Sequence, residues 1–294
     1  MPKRPAVRTT IALGGALAVA CVTGPAGAIT DDWVSDDVHD YVGLVVLLDE
    51  EGEFLSRCSG ALIDDTTVLT AGHCTDGASR ARIYFQQDAG AHYDLDREQD
   101  PVSGYPDECA PGTLGVWCVE SDSLYDAGFD EFASFPDTRD VGLVILEAPP
   151  SAVDGRGELP RPQVLDPLAR GPERNRTVFS VSGYGLIGSD PQHVESYPSR
   201  LTASSRLPNL RSSLNDAFNL QTNGNGRGFA ATCSGDSGGP VFLGDVESDT
   251  IVAVTSFGLD SWCRGTDFSY RIDRAEVLAW IGGGYLETAP EPSD

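Results

Sequence analysis

The chain is poor in positively charged residues, methionine and histidine. Of its 294 residues, one is lysine (Lys3), one is methionine and four are histidine. Because 45 acidic residues face 20 basic ones, the formal net charge is −25. So strong a negative charge disfavours nucleic acid and anionic membranes as partners. It is typical of a soluble extracellular protein, and adaptation to high salt, where ions screen the self-repulsion, is an alternative interpretation.

Long apolar runs are also lacking. The run Ile11–Val22 follows a positively charged start, is too short to span a bilayer, and precedes the small residues Ala26–Ala28. This pattern predicts a secretory signal peptide over residues 1–28, and therefore a secreted, extracellular protein without a membrane anchor. A lipoprotein signal with Cys21 as the lipidated residue is the alternative, disfavoured because Ala18 stands where a leucine is usual.

Metal-binding patterns are missing as well, since the sequence has no C-x-x-C pair and few histidines. We therefore expect no metal and no cofactor. After the predicted signal peptide, six cysteines remain: Cys58, Cys74, Cys109, Cys118, Cys233 and Cys263. An even number in a secreted chain indicates disulfide bonds, although the count alone leaves the pairing open.

Short apolar or alternating runs separated by turn residues predict an all-β protein of barrels or sandwiches. The abundance of glycine (33) and proline (19) agrees with many turns. The predicted strands are Tyr41–Leu48, Thr67–Thr70, Ala81–Phe85, Val141–Leu146, Thr177–Val181 and Thr250–Phe257. One helix is predicted near the end, over Asp273–Ile281, with Asp273 as its cap and Gly282 as its stop.

The domain boundaries follow from composition. A stretch rich in proline and glycine, Ala148–Gln163, predicts a division into two β-rich halves, residues 29–155 and 156–286. Residues 287–294 resemble a frayed tail. The first half contains an acidic segment, about residues 88–131, with twelve acids and one arginine.

The acidic segment invites comparison with a calcium loop, because DLDREQD (Asp94–Asp100) places carboxylates at alternate positions. Gln99 stands where such a loop needs a glycine for its turn. We therefore expect a solvated surface insertion without a metal.

The stretch ATCSGDSGGPVF (Ala231–Phe242) indicates a catalytic site. It surrounds Ser237 with several glycines, which permit the backbone angles that aim N–H groups at a substrate oxygen. Ser237 is the candidate nucleophile, and the N–H groups of Gly235 and Ser237 are candidate oxyanion donors. A glycine-rich turn before the strand PVF is the alternative interpretation.

Serine-based acyl transfer also needs a base and an acid that orients it. Among the histidines, His73 in VLTAGHC follows a predicted strand and precedes a half-cystine, so a disulfide would hold it in place. Asp140 in TRDVGLVIL directly precedes a predicted buried strand, where a carboxylate needs a hydrogen-bond partner. A turn aspartate is the plainer interpretation of Asp140.

The three segments TAGHC, DVGLVIL and CSGDSGGP together resemble the signatures of the trypsin and chymotrypsin-like serine endopeptidases, in that family's order. The resemblance covers nearly the whole chain after the signal and implies a secreted member, of the bacterial type. It implies a double six-stranded β-barrel, polypeptide substrates and a monomer. It also implies His73, Asp140 and Ser237 as the catalytic triad, and bridges Cys58–Cys74, Cys233–Cys263 and Cys109–Cys118.

The resemblance further implies substrate-binding positions: Ala231, Thr232, Ser256, Phe257, Gly258 and Asp267. Ala231 stands where trypsins have the aspartate of the specificity pocket, so a simple trypsin-like preference for arginine or lysine is not expected from it. Asp267 would restore such a preference, or fill the pocket, or pair with Arg264 or Arg271. The sequence leaves these alternatives open.

The start of the mature chain departs from the family, because no activation site of Arg or Lys before an IVGG-like sequence is present. Cleavage after Ala28 would instead expose Ile29, whose amino group we expect to pair with Asp236 and order the oxyanion loop. Two other functions remain open: a protease-like binding protein that uses the acidic insertion, and an esterase with the same triad.

Overall fold

The described part of the chain folds mainly into antiparallel β-strands. A computed structural model describes residues 33–94, 104–106, 109, 118–151, 153–186, 188–190, 193–195, 199–224, 228–260, 263 and 265–288. The predicted signal peptide, nearly all of the calcium-loop candidate, and the last six residues lie outside the described residues.

The first sheet contains seven strands and is open. In spatial order they are β6 (Cys118–Ser121), β5 (Arg80–Tyr84), β2 (Val42–Leu48), β3 (Phe54–Leu62), β4 (Thr67–Thr70), β8 (Gly142–Ile145) and β7 (Leu124–Asp126). Strand β2, with the sequence VGLVVLL, is buried at every position because both of its faces are covered. This continuous apolar run therefore forms the centre of the hydrophobic core of the first sheet.

The second sheet closes into a six-stranded barrel because β9 pairs with both β14 and β12. Its strands are β9 (Val178–Gly183), β12 (Leu201–Asn209), β13 (Asn219–Asn223), β16 (Thr266–Arg271), β15 (Ile251–Gly258) and β14 (Pro240–Leu243). The short strand β1 (Val34–Ser35) adds to β12, and β10 (Gly188–Asp190) and β11 (His193–Glu195) form a separate hairpin. The predicted all-β fold with two barrel-like halves is thus confirmed, the first half being open.

The six strands predicted from the sequence are confirmed with shifts of at most two residues at their ends. The sequence reasoning missed β3, β12, β13 and β16, which carry several polar residues. Several of these polar residues are buried, for example Ser59 and Asn219. The chain crosses from the first sheet to the second between Ile145 and Val178, whereas the domain boundaries stay a prediction.

The C-terminal helix is shorter and differently started than predicted. Helix α1 (Gly72–Thr75) lies in the first half, and the C-terminal helix α2 spans Ala275–Ala279 with Arg274 at its N-cap position. The prediction that Asp273 caps it is wrong, because the Asp273 carboxylate accepts hydrogen bonds from Arg271 and the Leu165 N–H. A wide turn (Trp280–Gly284) and a last turn, α3 (Tyr285–Thr288), follow.

Three disulfide bonds cross-link the described residues: Cys58–Cys74, Cys109–Cys118 and Cys233–Cys263. This is the pairing that the family resemblance implies. The bonds enclose 16, 9 and 30 residues of sequence separation. Cys58–Cys74 and Cys233–Cys263 flank the two segments that carry the candidate base and the candidate nucleophile.

Candidate active site

His73 is presented by helix α1, a single turn that directly follows strand β4. Its neighbour Cys74 is bonded to Cys58 in β3, so a covalent link fixes the turn against the first sheet. The His73 side chain is 23% exposed, so part of the ring is accessible to solvent. The expectation that a disulfide would hold this imidazole agrees with the geometry.

The Asp140 carboxylate accepts hydrogen bonds from both the ring and the backbone of His73. The carboxylate lies 3.0 and 2.9 Å from His73 Nδ1, and it also accepts the His73 backbone N–H at 2.8 Å. The Ser256 hydroxyl donates to the same carboxylate. Asp140 is completely buried, so all of these donors compensate for lost hydration. Because a carboxylate accepts at Nδ1, the proton of neutral His73 lies there and Nε2 is free to act as a base.

Ser237 lies in the loop that leads into β14, where Gly235 precedes it by two positions and Gly238 follows it directly. Ser237 lines a pocket, and its carbonyl oxygen accepts the Ser59 N–H at 2.7 Å. Within the described residues, its hydroxyl makes no hydrogen bond to His73 in this conformation. Contacts of this kind are often long without substrate and shorten when substrate binds.

Backbone conformation and close packing explain why glycines surround Ser237. Gly235 has a φ of +99° and Gly238 a φ of +76°, a region that favours glycine. A Cβ on Gly238 would lie 2.1 Å from Thr70 Oγ1, so a side chain there would push the nucleophile loop away from the first sheet. The glycine pattern therefore places Ser237 at the junction of the two sheets.

Asp236 faces inward, behind the nucleophile loop. Its carboxylate accepts the N–H groups of Gly185 at 2.8 Å and Cys233 at 2.9 Å. Burial raises the pKa of Asp236 to about 6, although these two hydrogen bonds and the charge of Arg57 oppose the increase. Within the described residues the carboxylate forms no ion pair, so the site would favour an additional cation.

The cleft beside Ser237 contains a pocket of about 320 Å³. Its lining residues are Thr232, Cys233, Ser234, Ser237, Thr255, Ser256, Phe257, Gly258, Leu259, Asp260 and Cys263. The structure thus brings four predicted substrate-binding positions to one pocket: Thr232, Ser256, Phe257 and Gly258. Ala231 is buried and is not among the described lining residues.

Asp267 lies beneath the pocket wall, opposite Gly258 in the pairing of β15 with β16. Its carboxylate accepts the Thr232 N–H at 2.8 Å and is 5% exposed. Burial raises the pKa of Asp267 to about 7, and the hydrogen bonds from Thr232 only partly oppose this. Of its two suggested partners, Arg271 pairs with Asp273 instead, and Arg264 lies outside the described residues.

Sequence reasoning missed Ser59, which connects the two halves at the site. Its hydroxyl donates to the Gly235 carbonyl at 2.8 Å and accepts the Tyr184 N–H at 2.9 Å. Its own carbonyl accepts the Thr70 hydroxyl at 2.8 Å. A small polar residue next to a half-cystine is a weak sequence signal, which explains why this positioning residue was not found.

Sequence reasoning also missed Phe129, Phe132 and Phe135, which together with the predicted Phe257 form an aromatic wall above the pocket. The ring of Phe132 lies 5.1 Å from that of Phe129 and 5.4 Å from that of Phe257. Phe132 and Phe135 are 36% and 40% exposed, so the wall offers an apolar surface to a bound chain. The segment carrying three of these rings, residues 129–135, lies at the end of the acidic segment and shortly before Asp140.

Metal binding has one candidate in the described part of the chain. Ligand atoms of Cys58, His73 and Cys74 lie within 4.8 Å of one another. Both sulfurs are joined in a disulfide, so they are not available as thiolate ligands. Among the described helices, none is long and apolar enough to cross a membrane.

A protein-family model named Trypsin matches residues 42–109 and 126–281 of the chain. The matched residues make up more than half of the chain and include His73, Asp140 and Ser237. The chain therefore belongs to the Trypsin family, the class of protein that the two barrel-like sheets and the cleft between them define.

Individual relatives are more distant. The chymotrypsin of Phaedon cochleariae, an insect, is 25% identical over 242 residues, which cover 78% of this chain and 72% of the relative. The solved structure of HL collagenase has a TM-score of 0.58 at 18% identity and covers 88% of this chain and 96% of its own. Human heparin binding protein has a TM-score of 0.55 at 20% identity, covering 87% and 95%. These relatives give no support to a bacterial-type member.

Proposed function

We propose that the protein is a secreted serine endopeptidase that cleaves polypeptide substrates as a monomer, without a metal or cofactor. The observation that carries the proposal is the contact between the buried Asp140 carboxylate and His73 Nδ1, at 2.9 Å. Ser256, which lines the same pocket as Ser237, donates to this carboxylate and thereby connects the His73–Asp140 pair to the pocket. Such a set of residues suits nucleophilic acyl transfer.

In the proposed mechanism, Ser237 Oγ attacks the scissile carbonyl and His73 Nε2 takes its proton. The tetrahedral intermediate collapses when protonated His73 gives that proton to the leaving amine, and an acyl-enzyme remains. Water then attacks the acyl-enzyme with His73 again acting as base. Asp140 holds the ring orientation and stabilises the imidazolium, while Ser256 keeps the carboxylate in place.

The backbone N–H groups of Gly235 and Ser237 are the proposed oxyanion donors. The loop that carries them is held by the Ser59 hydroxyl on Gly235 and by the Asp236 carboxylate. We propose that cleavage of residues 1–28 by signal peptidase frees the amino group of Ile29, which pairs with buried Asp236. An amine there would lower the pKa of Asp236 and fix the loop, so no separate zymogen step is needed.

For the residue before the cut, we propose selection of arginine or lysine by Asp267. Its buried carboxylate has a backbone donor at Thr232 and lies behind the Gly258 wall of a pocket large enough for such a side chain. Burial disfavours the ionised form of the Asp267 carboxylate. A positively charged guanidinium or ammonium group of the substrate would compensate for this by pairing with the carboxylate. The aromatic wall would bind apolar residues on the preceding positions of the substrate.

The test is covalent labelling of the secreted protein with a fluorophosphonate, followed by peptide hydrolysis assays. We expect one adduct on Ser237, and a Ser237→Ala variant should lose the adduct and lower kcat roughly 10⁶-fold. Ser234→Ala is the matched control, because Ser234 is exposed in the same pocket. Labelling of Ser234→Ala should be normal, and an active Ser237→Ala variant would refute the assignment.

Two alternatives are distinguished by the same experiment. A protease-like binding protein, suggested by the structural likeness to heparin binding protein, would show neither adduct nor turnover on a chain that begins at Ile29. An esterase would form the adduct and hydrolyse esters but not amides of matched sequence. The intact His73–Asp140 contact favours the peptidase over the binding protein.

A further inference from the structure

A second pocket, which we call the arginine pocket, lies on the closed barrel. It has a volume of about 430 Å³ and is lined by Arg174, Asn175, Arg176, Thr177, Val178, Arg206, Leu207 and Phe229. It shares no lining residue with the pocket beside Ser237. Three of its eight lining residues are arginines, and among these described residues none is acidic.

The backbone that presents the arginines is fixed by the barrel. Arg206 lies on β12 directly opposite Val178 of β9. Arg174 belongs to a one-turn 3-10 helix (Pro172–Asn175) just before β9. The Thr177 N–H and hydroxyl both bind the Glu173 carbonyl at 2.9 Å, which ties this turn to the start of the strand. The pocket is therefore built by a sheet and a closed turn.

The guanidinium groups retain capacity for a ligand. The Arg206 guanidinium carbon lies 3.8 Å from the centroid of the Phe229 ring, so the aromatic face stabilises the cation, and its N–H groups make no hydrogen bond within the described residues. Arg176 approaches Glu173 at 3.4 Å, but both side chains are about two-thirds or more exposed, so this pair is weak. Neither contact neutralises the pocket.

The part of the sequence that contributes most of the arginine pocket is basic, although the whole chain is acidic. Residues 156–211 contain eight arginines and five acids, although the whole chain carries a net charge of −25. At physiological ionic strength charges more than about 8 Å away are largely screened, so a ligand in the pocket senses mainly these arginines.

We propose that the arginine pocket binds a sulfate or phosphate ester whose organic group packs on Phe229 and Leu207. Guanidinium groups form paired hydrogen bonds to tetrahedral oxyanions, and three of them around one cavity match such an anion better than a single carboxylate. The apolar lining of Val178, Leu207 and Phe229 suits the attached ring or chain, which inorganic ions lack.

Binding of inorganic sulfate, inorganic phosphate, phenyl sulfate and phenyl phosphate should be measured by isothermal titration calorimetry on the secreted protein. We expect saturable binding of a phenyl ester with a Kd of about 1 mM or lower, weakening with added NaCl. The inorganic ions should bind at least several-fold more weakly. The tighter of the two esters identifies the source of the anion. Absence of saturable binding by all four probes would overturn the proposal.

Variants separate a specific site from general charge. Arg174→Ala and Arg206→Ala should each weaken ester binding about tenfold, which is about 1.4 kcal/mol. Arg161→Ala, which removes an exposed positive charge that does not line the pocket, should not change it. Glu173→Gln should tighten binding by freeing Arg176, a gain that misfolding does not produce. Equal losses in Arg161→Ala and Arg206→Ala would contradict the proposal.

Discussion

At the scale of single residues, two buried carboxyl groups near Ser237 differ in their hydrogen-bond partners. Asp140 accepts the N–H and Nδ1–H of His73 and the hydroxyl of Ser256. Asp267 has only Thr232 as a donor among the described residues, and burial raises its pKa to about 7. The protein itself therefore supplies the donors that stabilise the Asp140 carboxylate, whereas the Asp267 carboxylate would be stabilised further by a cationic ligand.

The pKa of Asp267 leads to a prediction about pH. Below about pH 7 the group is neutral, and above it the group is anionic and attracts a basic side chain. The ratio of kcat/KM for an arginine substrate to that for the matching leucine substrate should therefore rise as pH increases from 5.5 to 8.5. Effects of pH that are common to both substrates cancel in this ratio.

The control for this measurement is Asp260→Asn, which removes a carboxylate that lines the same pocket. Asp267→Asn should abolish the rise in the ratio, and Asp260→Asn should preserve it. A ratio that is independent of pH in the unmodified protein would show that Asp267 does not select the substrate.

Asp140 gives a second prediction at this scale. Asp140→Asn preserves the size of the side chain but no longer favours the tautomer with the proton on Nδ1. We expect kcat to fall about 10⁴-fold at neutral pH with little change in folding. The measurement is amide hydrolysis at saturating substrate, with circular dichroism as the check on the fold. A loss below tenfold would show that His73 is oriented by other contacts.

At the scale of secondary structure elements, the start of the C-terminal helix is held by an ion pair between side chains and not by a side-chain N-cap. Arg271, at the end of β16, donates to both carboxylate oxygens of Asp273 and to Asp166, and its side chain is 3% exposed. Asp273 also accepts the Leu165 N–H at 2.9 Å. One aspartate therefore connects the last strand, the helix start and the segment between the two sheets.

Removing Asp273 should consequently be costly. Asp273→Ala would leave the buried Arg271 with the exposed Asp166 as its remaining ion-pair partner, and we expect a loss of about 3–5 kcal/mol in unfolding free energy. Asp122→Ala is the matched control, because its pair with Arg80 is exposed and worth at most about 1 kcal/mol. Urea denaturation measures both. Similar losses in the two variants would contradict the anchoring role.

At the scale of the whole molecule, charge and covalent links act in opposite directions. A net charge of −25 makes the compact state repel itself, whereas three disulfides restrict the unfolded chain. The two sheets meet through buried polar contacts, among them those of Ser59. The loop that carries Ser237 is held at this junction by the Ser59 hydroxyl on Gly235, so we expect that a loosened junction also moves Ser237.

The net charge predicts the response to salt. Raising NaCl from about 10 mM to about 500 mM shortens the screening length several-fold and should raise Tm, because repulsion among the acidic residues decreases. Differential scanning calorimetry at fixed pH is the measurement, with sucrose as an uncharged control for solute effects. A Tm that falls, or that rises no more than with sucrose, would be inconsistent with this account.

The sequence by itself determined the family, the apolar strands and the three segments with His73, Asp140 and Ser237. Each depends on local chemistry: apolar runs select buried strands, and glycines mark a loop that approaches another backbone closely. The C-terminal helix was misjudged at Asp273 because its carboxylate accepts the N–H of Leu165, 108 positions away, and the guanidinium of Arg271, which the local capping pattern does not reveal.

Only the tertiary structure decided which distant groups meet. It placed Ser256 on Asp140, Ser59 beneath Gly235 and Thr232 on Asp267, contacts between residues more than thirty positions apart. It also gathered Arg174 and Arg206 into one pocket. Sequence patterns report neighbours along the chain, whereas burial and the pKa values that follow from it depend on neighbours in space.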